Sequence, residues 1–435
     1  MSKLAIFGGK PVRKRLFPAR AGFGLEEKRA VKRVMDSGVL SRYLGEWGPD
    51  FYGGPEVQAF EKEWAKYFGV KHAFAINSCT SGLQCAAGAA GISPGDEIIV
   101  SPFTMSASAT APLIWGGIPI FADIEEEYFC LDPKSVEARI TPKTKAIIVV
   151  DIFGQPYDRD AINNIAKKHG LIVIEDAAQA PCAFYGKEFA GTLGDIGVYS
   201  LNYHKHIHTG EGGVVVTNND VLAEKIRLIR NHAEAVFEGS GARDLTNMVG
   251  FNFRMTEIQA AIGREQLKKL KSLVGKRVAN CEYIAERLSG LPGIRAAGVR
   301  EKATHAYYDH VFLFDETSVG VPRNRFIEAV KPELSLSRGR ETEGVQVGYG
   351  YVKPLYLLPL FQKKIAIGEN GFPFALGDPS LLDKNYELGS CPVAERMHDK
   401  ELVSHGFMDP SMHKKDLEDV VNAFHKVYKH RNELK

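Results

Sequence analysis

The sequence predicts an α/β protein, a large domain with a mostly parallel sheet flanked by helices and then a smaller C-terminal α+β domain. Three observations carry this. Short apolar runs alternate with segments of helical spacing from about Ala73 to Thr217, the pattern of strands joined by helical crossovers. The 435 residues are 44% hydrophobic and 25% charged, ordinary for a globular chain long enough for two domains. Beyond about Lys271 the alternation gives way to helices with short strands, which divides the chain at 1–270 and 271–435.

Charge and cysteine usage exclude several function classes. The 55 basic and 53 acidic residues leave a net charge of +2, which gives no reason to expect nucleic acid or a membrane surface as partner. Six scattered cysteines without a Cys-x-x-Cys pair read as reduced thiols, and no metal site is expected. No apolar run approaches the ~18 residues of a membrane span. The N-terminal Met1 to Lys10 returns to a charge before any apolar run of signal-peptide length, so a cytoplasmic location is expected.

Taken in order, Leu25 to Ser37 has helical spacing and stops at Gly38, a C-terminal cap. The glycine- and proline-rich loop from Tyr43 to Pro55 brings Trp47, Phe51 and Tyr52 over a core, and Val57 to Phe68 is an amphipathic helix. A strand starting at Ala73 breaks into Asn77-Ser-Cys-Thr-Ser81 before a helix-like run from Leu83 to Ala90. Small hydroxyl residues at a helix start serve either as caps or as an anion site, which makes Ser78, Thr80 and Ser81 candidates for a phosphate. A turn followed by a strand is expected within 94–102, and further strands at 118–122, 145–150 and 171–174.

The last of these runs straight into Glu175-Asp176. A carboxylate at a buried strand end needs a cationic partner, or it caps the next helix. Next, the strand Ile196 to Leu201 leads into Asn202-Tyr-His-Lys-His-Ile-His-Thr-Gly-Glu-Gly-Gly213 and then the strand Val214 to Thr217. Lys205 therefore sits on a loop between two buried strands. It is either an amine used covalently as a Schiff base or a solvated surface lysine. Thr256 and Gln259 have capping-box spacing ahead of a long helix through Val274, a strand is expected from Ala306 to Leu313, and 348–391 is irregular and rich in aromatics.

The order and spacing of these stretches resemble the fold type I sugar aminotransferases named for DegT, DnrJ, EryC and StrS. The resemblance is densest between Asn77 and Leu270. It rests on Asn77-Ser-Cys-Thr-Ser-Gly-Leu, Pro94-Gly-Asp-Glu-Ile-Ile-Val, Phe153-Gly-Gln-Pro, Glu175-Asp-Ala-Ala-Gln-Ala, Gly194-Asp195, the Ser200 to Gly213 loop, Arg230-Asn-His and Gly250 to Gly263. It implies pyridoxal 5′-phosphate as cofactor, held as an imine by Lys205. Asp176 would pair with the ring nitrogen, Gln179 with the ring hydroxyl, and Ser200, Thr80 and Ser81 with the phosphate. Asn252 would reach the phosphate of a neighbouring subunit, which implies a homodimer with shared active sites. Met105 stands where the family places an aromatic stacked on the ring.

The activity so implied moves an amino group from glutamate or glutamine to a keto sugar, a nucleotide-linked keto sugar or a ketocyclitol. Leu4 to Arg13 and Cys391 to Arg396 look most like the branch acting on cyclitols and aminohydroxybenzoate precursors. Tyr43, Trp47, His232, His305, Tyr307 and Tyr351 are candidate substrate contacts. The alternatives are a dehydratase of the same family, whose members carry histidine in place of Lys205, and a non-catalytic cofactor-binding regulator.

Overall fold

The computed structural model describes residues 3–435, so the first two residues of the N-terminal stretch lie outside it. Strands β1 (His72–Ile76), β2 (Glu97–Val100), β3 (Ile118–Phe121), β4 (Thr144–Val150), β5 (Ile172–Asp176), β8 (Ile196–Ser200) and β9 (Gly213–Thr217) form one sheet in the order β1-β9-β8-β5-β4-β2-β3. A small hairpin, β6 (Phe184–Tyr185) and β7 (Glu188–Phe189), stands apart. From β8 to β3 all neighbours are parallel, while β9 runs antiparallel to both β8 and β1. Strands β2, β3 and β8 are buried along their whole length, as expected where helices cover both faces.

The first two helices form where the spacing puts them. Helix α1 (Leu25–Ser37) ends with Gly38 in the left-handed region at φ 70°, and α2 (Pro55–Phe68) buries Val57, Phe60, Trp64 and Phe68. Helix α3 (Cys79–Ala89) starts four residues earlier than the apolar run suggests, because the Ser78 hydroxyl accepts from the Ser81 amide and caps it there. A Cβ on Gly82 would lie 2.6 Å from the Val198 side chain, so this glycine lets α3 lie close on β8.

A second sheet of four antiparallel strands, in the order β10-β11-β13-β12, joins β10 (Ile294–Ala296), β11 (His310–Phe314), β12 (Val347–Tyr349) and β13 (Leu402–His405). Its strand β11 starts at His310 and not at Ala306. Tyr307 takes φ 51° and gives its carbonyl to Arg277, which removes it from any ladder. The amphipathic C-terminal helix Lys414–Lys429 packs its Leu417, Val420, Phe424 and Val427 stripe into the core of this second sheet.

The long helix Glu257–Leu288 runs unbroken past residue 270, capped by Thr256 and Gln259 as their spacing predicts. Packing also crosses that point in both directions. Leu4 and Phe17 join the core of the second sheet, and buried Arg13 pairs with Asp416 at 2.8 Å and Asp419 at 2.9 Å. In return Tyr356, Phe361 and Tyr386 surround Phe121 of β3 at ring-centroid distances of 5.1–5.7 Å.

Candidate active site

Sheet register gathers the site. Gly213 opposes both Ile76 at the end of β1 and Ser200 at the end of β8. The start of α3 and the two ends of the Lys205 loop therefore meet at one point. A Cβ on Gly213 would stand 2.8 Å from the Cys79 amide nitrogen and 2.8 Å from the Tyr199 carbonyl oxygen, so only glycine fits the crossing. The end of β5, which carries Asp176, lies one strand over from β8.

Lys205 is 8% exposed, and its ammonium stands 4.1 Å from the centre of the Tyr308 ring. Burial pushes its amine below the usual lysine value; Cys79 and Asp176 pull the other way, and the nearby Arg20 adds to the lowering. Asp176 is 6% exposed. Its Oδ2 accepts a 2.7 Å hydrogen bond from Ser108, and its Oδ1 accepts from the Ala178 amide at 3.2 Å and faces the Cys79 thiol at 3.9 Å. Burial raises Asp176 above the carboxylate range, against the pull of Ser108, the Ala178 amide, Lys205 and Cys79.

A buried amine and a buried carboxylate thus feel each other's charge, yet among the described residues neither closes an ion pair. Leaving both charges without an opposite charge in contact costs stability, which marks the space between them as a place for a further group. The remaining donors fit one. Among the described residues the main-chain amides of Cys79 and Thr80, the first two of α3, donate to no acceptor, as expected at a helix N-terminus. Thr80 is exposed and Ser200 buried, while the Ser81 hydroxyl is 2.9 Å from that of Ser78.

Gln179 accepts from the Phe153 amide at 2.6 Å and donates to the Tyr351 hydroxyl at 2.9 Å, which leaves one amide hydrogen unspent. Met105 is 58% exposed and its sulfur accepts from the Ala107 amide at 3.1 Å. Asn252 is exposed, and its side-chain oxygen accepts from Arg254 Nε at 2.8 Å.

Of the candidate substrate contacts, Tyr351 lines the cleft of about 470 Å³ beside Lys205. Tyr43 and His305 are buried, Tyr307 stacks on His305 at 4.0 Å, and His232 and Trp47 pack near Gly45 and Gly239. The flanking histidines are held neutral. Burial, followed by Lys205 and Arg20, lowers His204 to about 4; burial and Arg20 lower His208 to about 4; and His206 is buried with Nε2 2.9 Å from the Ala306 carbonyl.

Sequence reasoning missed Ser108, Tyr308, Arg20 and Arg277. Arg277 alone left a signal, a cation in the buried stripe of the long helix between Val274 and Cys281.

Comparison with known proteins gives this geometry its class: the chain is an aminotransferase, with the α/β fold of that class. It belongs to the DegT/DnrJ/EryC1/StrS aminotransferase family, whose model matches residues 26–377. Its relatives are sugar and cyclitol aminotransferases. The chain is 34% identical over 413 residues to the spore coat polysaccharide biosynthesis protein SpsC of Bacillus subtilis (strain 168), covering 93% of this chain and 95% of that one. It is 30% identical over 446 residues to the L-glutamine:2-deoxy-scyllo-inosose aminotransferase of Streptoalloteichus tenebrarius, covering 99% of each. The solved structure of DesI in the presence of its TDP-sugar product superposes with a TM-score of 0.80 at 27% identity, over 100% of this chain and 98% of that one. Among the described residues no helix is long and apolar enough to cross a membrane, and no cluster of residues is arranged to hold a metal ion.

Proposed function

We propose that this aminotransferase binds pyridoxal 5′-phosphate through Lys205 and moves an amino group from glutamate or glutamine to the ketone of a sugar, nucleotide-linked sugar or cyclitol. The observation that carries the reading is the buried pair of Lys205, within the loop between β8 and β9, and Asp176, at the end of the neighbouring strand β5, neither of which closes an ion pair. When bound, the cofactor supplies an electron sink for the pair left on the substrate carbon.

The chain's own residues do the rest. Lys205 Nζ holds the cofactor and takes and returns the proton at the substrate carbon, a task suited to an amine whose burial favours the neutral form. Asp176 holds a proton on the ring nitrogen. Gln179 spends its remaining amide hydrogen on the ring hydroxyl. The Cys79 and Thr80 amides, with the Thr80, Ser81 and Ser200 hydroxyls, take the phosphate, favoured by the α3 dipole. Met105 would take the place of the family's aromatic beside the ring. Lysine at 205 favours transamination over dehydration.

The match to an L-glutamine:inosose aminotransferase over 99% of both chains supports glutamine as donor and a ketocyclitol among the acceptors. The exposed Asn252, with Leu245 at 69% and Val249 at 62% exposure nearby in sequence, supports a homodimer in which Asn252 completes the partner's phosphate site. Such an enzyme working on diffusible substrates fits the cytoplasm.

The test is the visible absorption band of the purified protein with cofactor, before and after glutamine and glutamate, beside Lys205→Ala. A wild-type band that one donor bleaches, absent in the variant, is the expected result. An identical band in Lys205→Ala would remove Lys205 from the reading.

A further inference from the structure

The cleft beside Lys205 holds more positive charge than its neighbours neutralise at contact. Arg20, Arg277 and Arg340 all line it, together with Tyr308, whose ring faces Lys205, and Tyr351, which is bonded to Gln179. Arg340 is paired with Glu343, its Nε 2.9 Å from the carboxylate. The other two are bound to carbonyl oxygens alone. Arg20 donates to the carbonyls of Tyr203 at 2.7 Å and of Lys205, and Arg277 to those of Tyr307 at 2.5 Å and Tyr308 at 3.2 Å.

A carbonyl orients a guanidinium without neutralising it. Each of the two retains N–H groups with no acceptor among the described residues, and Arg277 is only 8% exposed. Among the described residues no carboxylate of the cleft closes a salt bridge with Arg20 or Arg277, although Asp409 attracts both across space. Asp409 Oδ1 is taken by the Ala21 amide at 2.9 Å and by the Ser411 amide and hydroxyl at 2.9 and 2.7 Å. Burial, opposed by Arg277, pushes Asp309 up to about 7. Crowding is felt at Arg20, which burial and Arg277, followed by Arg340 and opposed by Asp409, bring down to about 10.

We infer that Arg20 and Arg277 form a binding site for the anionic oxygens of a substrate, either the carboxylate of the amino-acid donor or the diphosphate of a nucleotide-linked acceptor. This deepens the aminotransferase reading and rests on it for the identity of the ligands. An oxyanion accepting from both guanidiniums supplies the missing negative charge through charge-assisted bonds. Because Arg20 also holds the Lys205 carbonyl, the site ties substrate binding to the loop that carries the amine.

The test is calorimetric binding of two unreactive probes to the cofactor-loaded protein, glutarate for the donor carboxylate and uridine diphosphate for the acceptor. It requires no turnover, so its outcome is separate from that of the absorption test. Arg20→Gln and Arg277→Gln are each expected to raise the glutarate Kd on the order of tenfold, while Arg20→Lys stays within about threefold. Melting temperatures identify any variant that has lost its fold, and Arg20→Gln decides if Arg277→Gln has. Weakening confined to uridine diphosphate assigns the same anion site to the acceptor. Wild-type affinity of Arg20→Gln for both probes, or no wild-type binding of either, overturns the inference.

Discussion

Ser108 donates a 2.7 Å hydrogen bond to Asp176 Oδ2, and the Thr104 hydroxyl stands 3.3 Å behind it. All three side chains are buried, at 0%, 6% and 1% exposure. A serine hydroxyl has one proton to give, and the shorter bond to Asp176 takes it over the 3.4 Å approach to the Met105 carbonyl. Thr104 is then placed to donate to Ser108, so two hydroxyls in series support one carboxylate. Burial has already raised Asp176, and Ser108 is the first of the groups that lower it. Removing the hydroxyl therefore raises Asp176 further.

For Ser108→Ala the acid limb of the kcat/KM profile is expected to move to higher pH, because Asp176 is then protonated sooner as pH falls. At the optimum kcat should drop about three- to tenfold, the scale of one lost hydrogen bond to a charged group. Ser108→Thr restores both. An acid limb unchanged in Ser108→Ala would show that the hydroxyl does not tune Asp176.

Gly213→Ala strikes the point where β1, β8, β9 and α3 meet. The added Cβ would press on the Cys79 amide nitrogen, the Tyr199 carbonyl oxygen and the Ser78 carbonyl carbon, all backbone, at 2.8–2.9 Å. None of these can rotate away, so the start of α3 must shift. The expected result is a loss of about 1–3 kcal/mol in denaturant unfolding together with weaker cofactor retention on dialysis. Retention equal to wild type would place the phosphate site elsewhere.

Much of this was legible in the sequence because buried parallel strands read as plain apolar runs. Val173 and Ile174 lead directly to Asp176, and Gly213 to Val216 lead directly away from the lysine loop. Capping chemistry at Thr256 was local and therefore readable, while at Ser78 the run of small hydroxyl residues left both a cap and an anion site open. What escaped was set by tertiary packing. Ser108 is one of many small residues between Phe103 and Ala111, and only the folded sheet shows that it faces Asp176 from 68 residues away. Arg20 lies 185 residues from the Lys205 carbonyl it holds, and no periodicity links them. The strand start at His310 was misread because Tyr307 adopts a positive φ that its apolar neighbours do not announce.

Tyr351→Phe isolates the link between Gln179 and the second sheet's side of the cleft. The ring packs edge-on against Phe153 at 4.9 Å and Phe103 at 5.7 Å, and phenylalanine keeps those contacts. Stability should therefore change by less than about 1 kcal/mol. Gln179 Nε2 loses its acceptor, and the cleft loses a hydroxyl. The expected effect is a KM for one substrate raised about two- to fivefold with kcat less affected, measured by steady-state kinetics at varied donor and acceptor. Unchanged kinetics for both substrates would make Tyr351 a packing residue alone.

Lys205→Met is expected to stabilise the cofactor-free protein. The folded-state pKa of this amine lies below its unfolded value of 10.5, since burial penalises the charge. Below both values the two states are equally protonated, and the whole cost of the buried charge falls on the fold. As pH rises from the folded pKa to the unfolded one, the folded amine is neutral while the unfolded one still holds its proton, so stability climbs and then levels off. Methionine removes the cost and fills the same space. What it gives up is the contact of the ammonium with the Tyr308 ring, worth about 0.5–2 kcal/mol, and the attraction to Asp176. Desolvation is the largest effect, so a net gain in stability is expected at about pH 7, shrinking toward about pH 10. Urea unfolding of both proteins at the two pH values checks it. A variant less stable than wild type at about pH 7 would mean that Lys205 is paired in solution and that its burial carries no penalty for the cofactor to relieve.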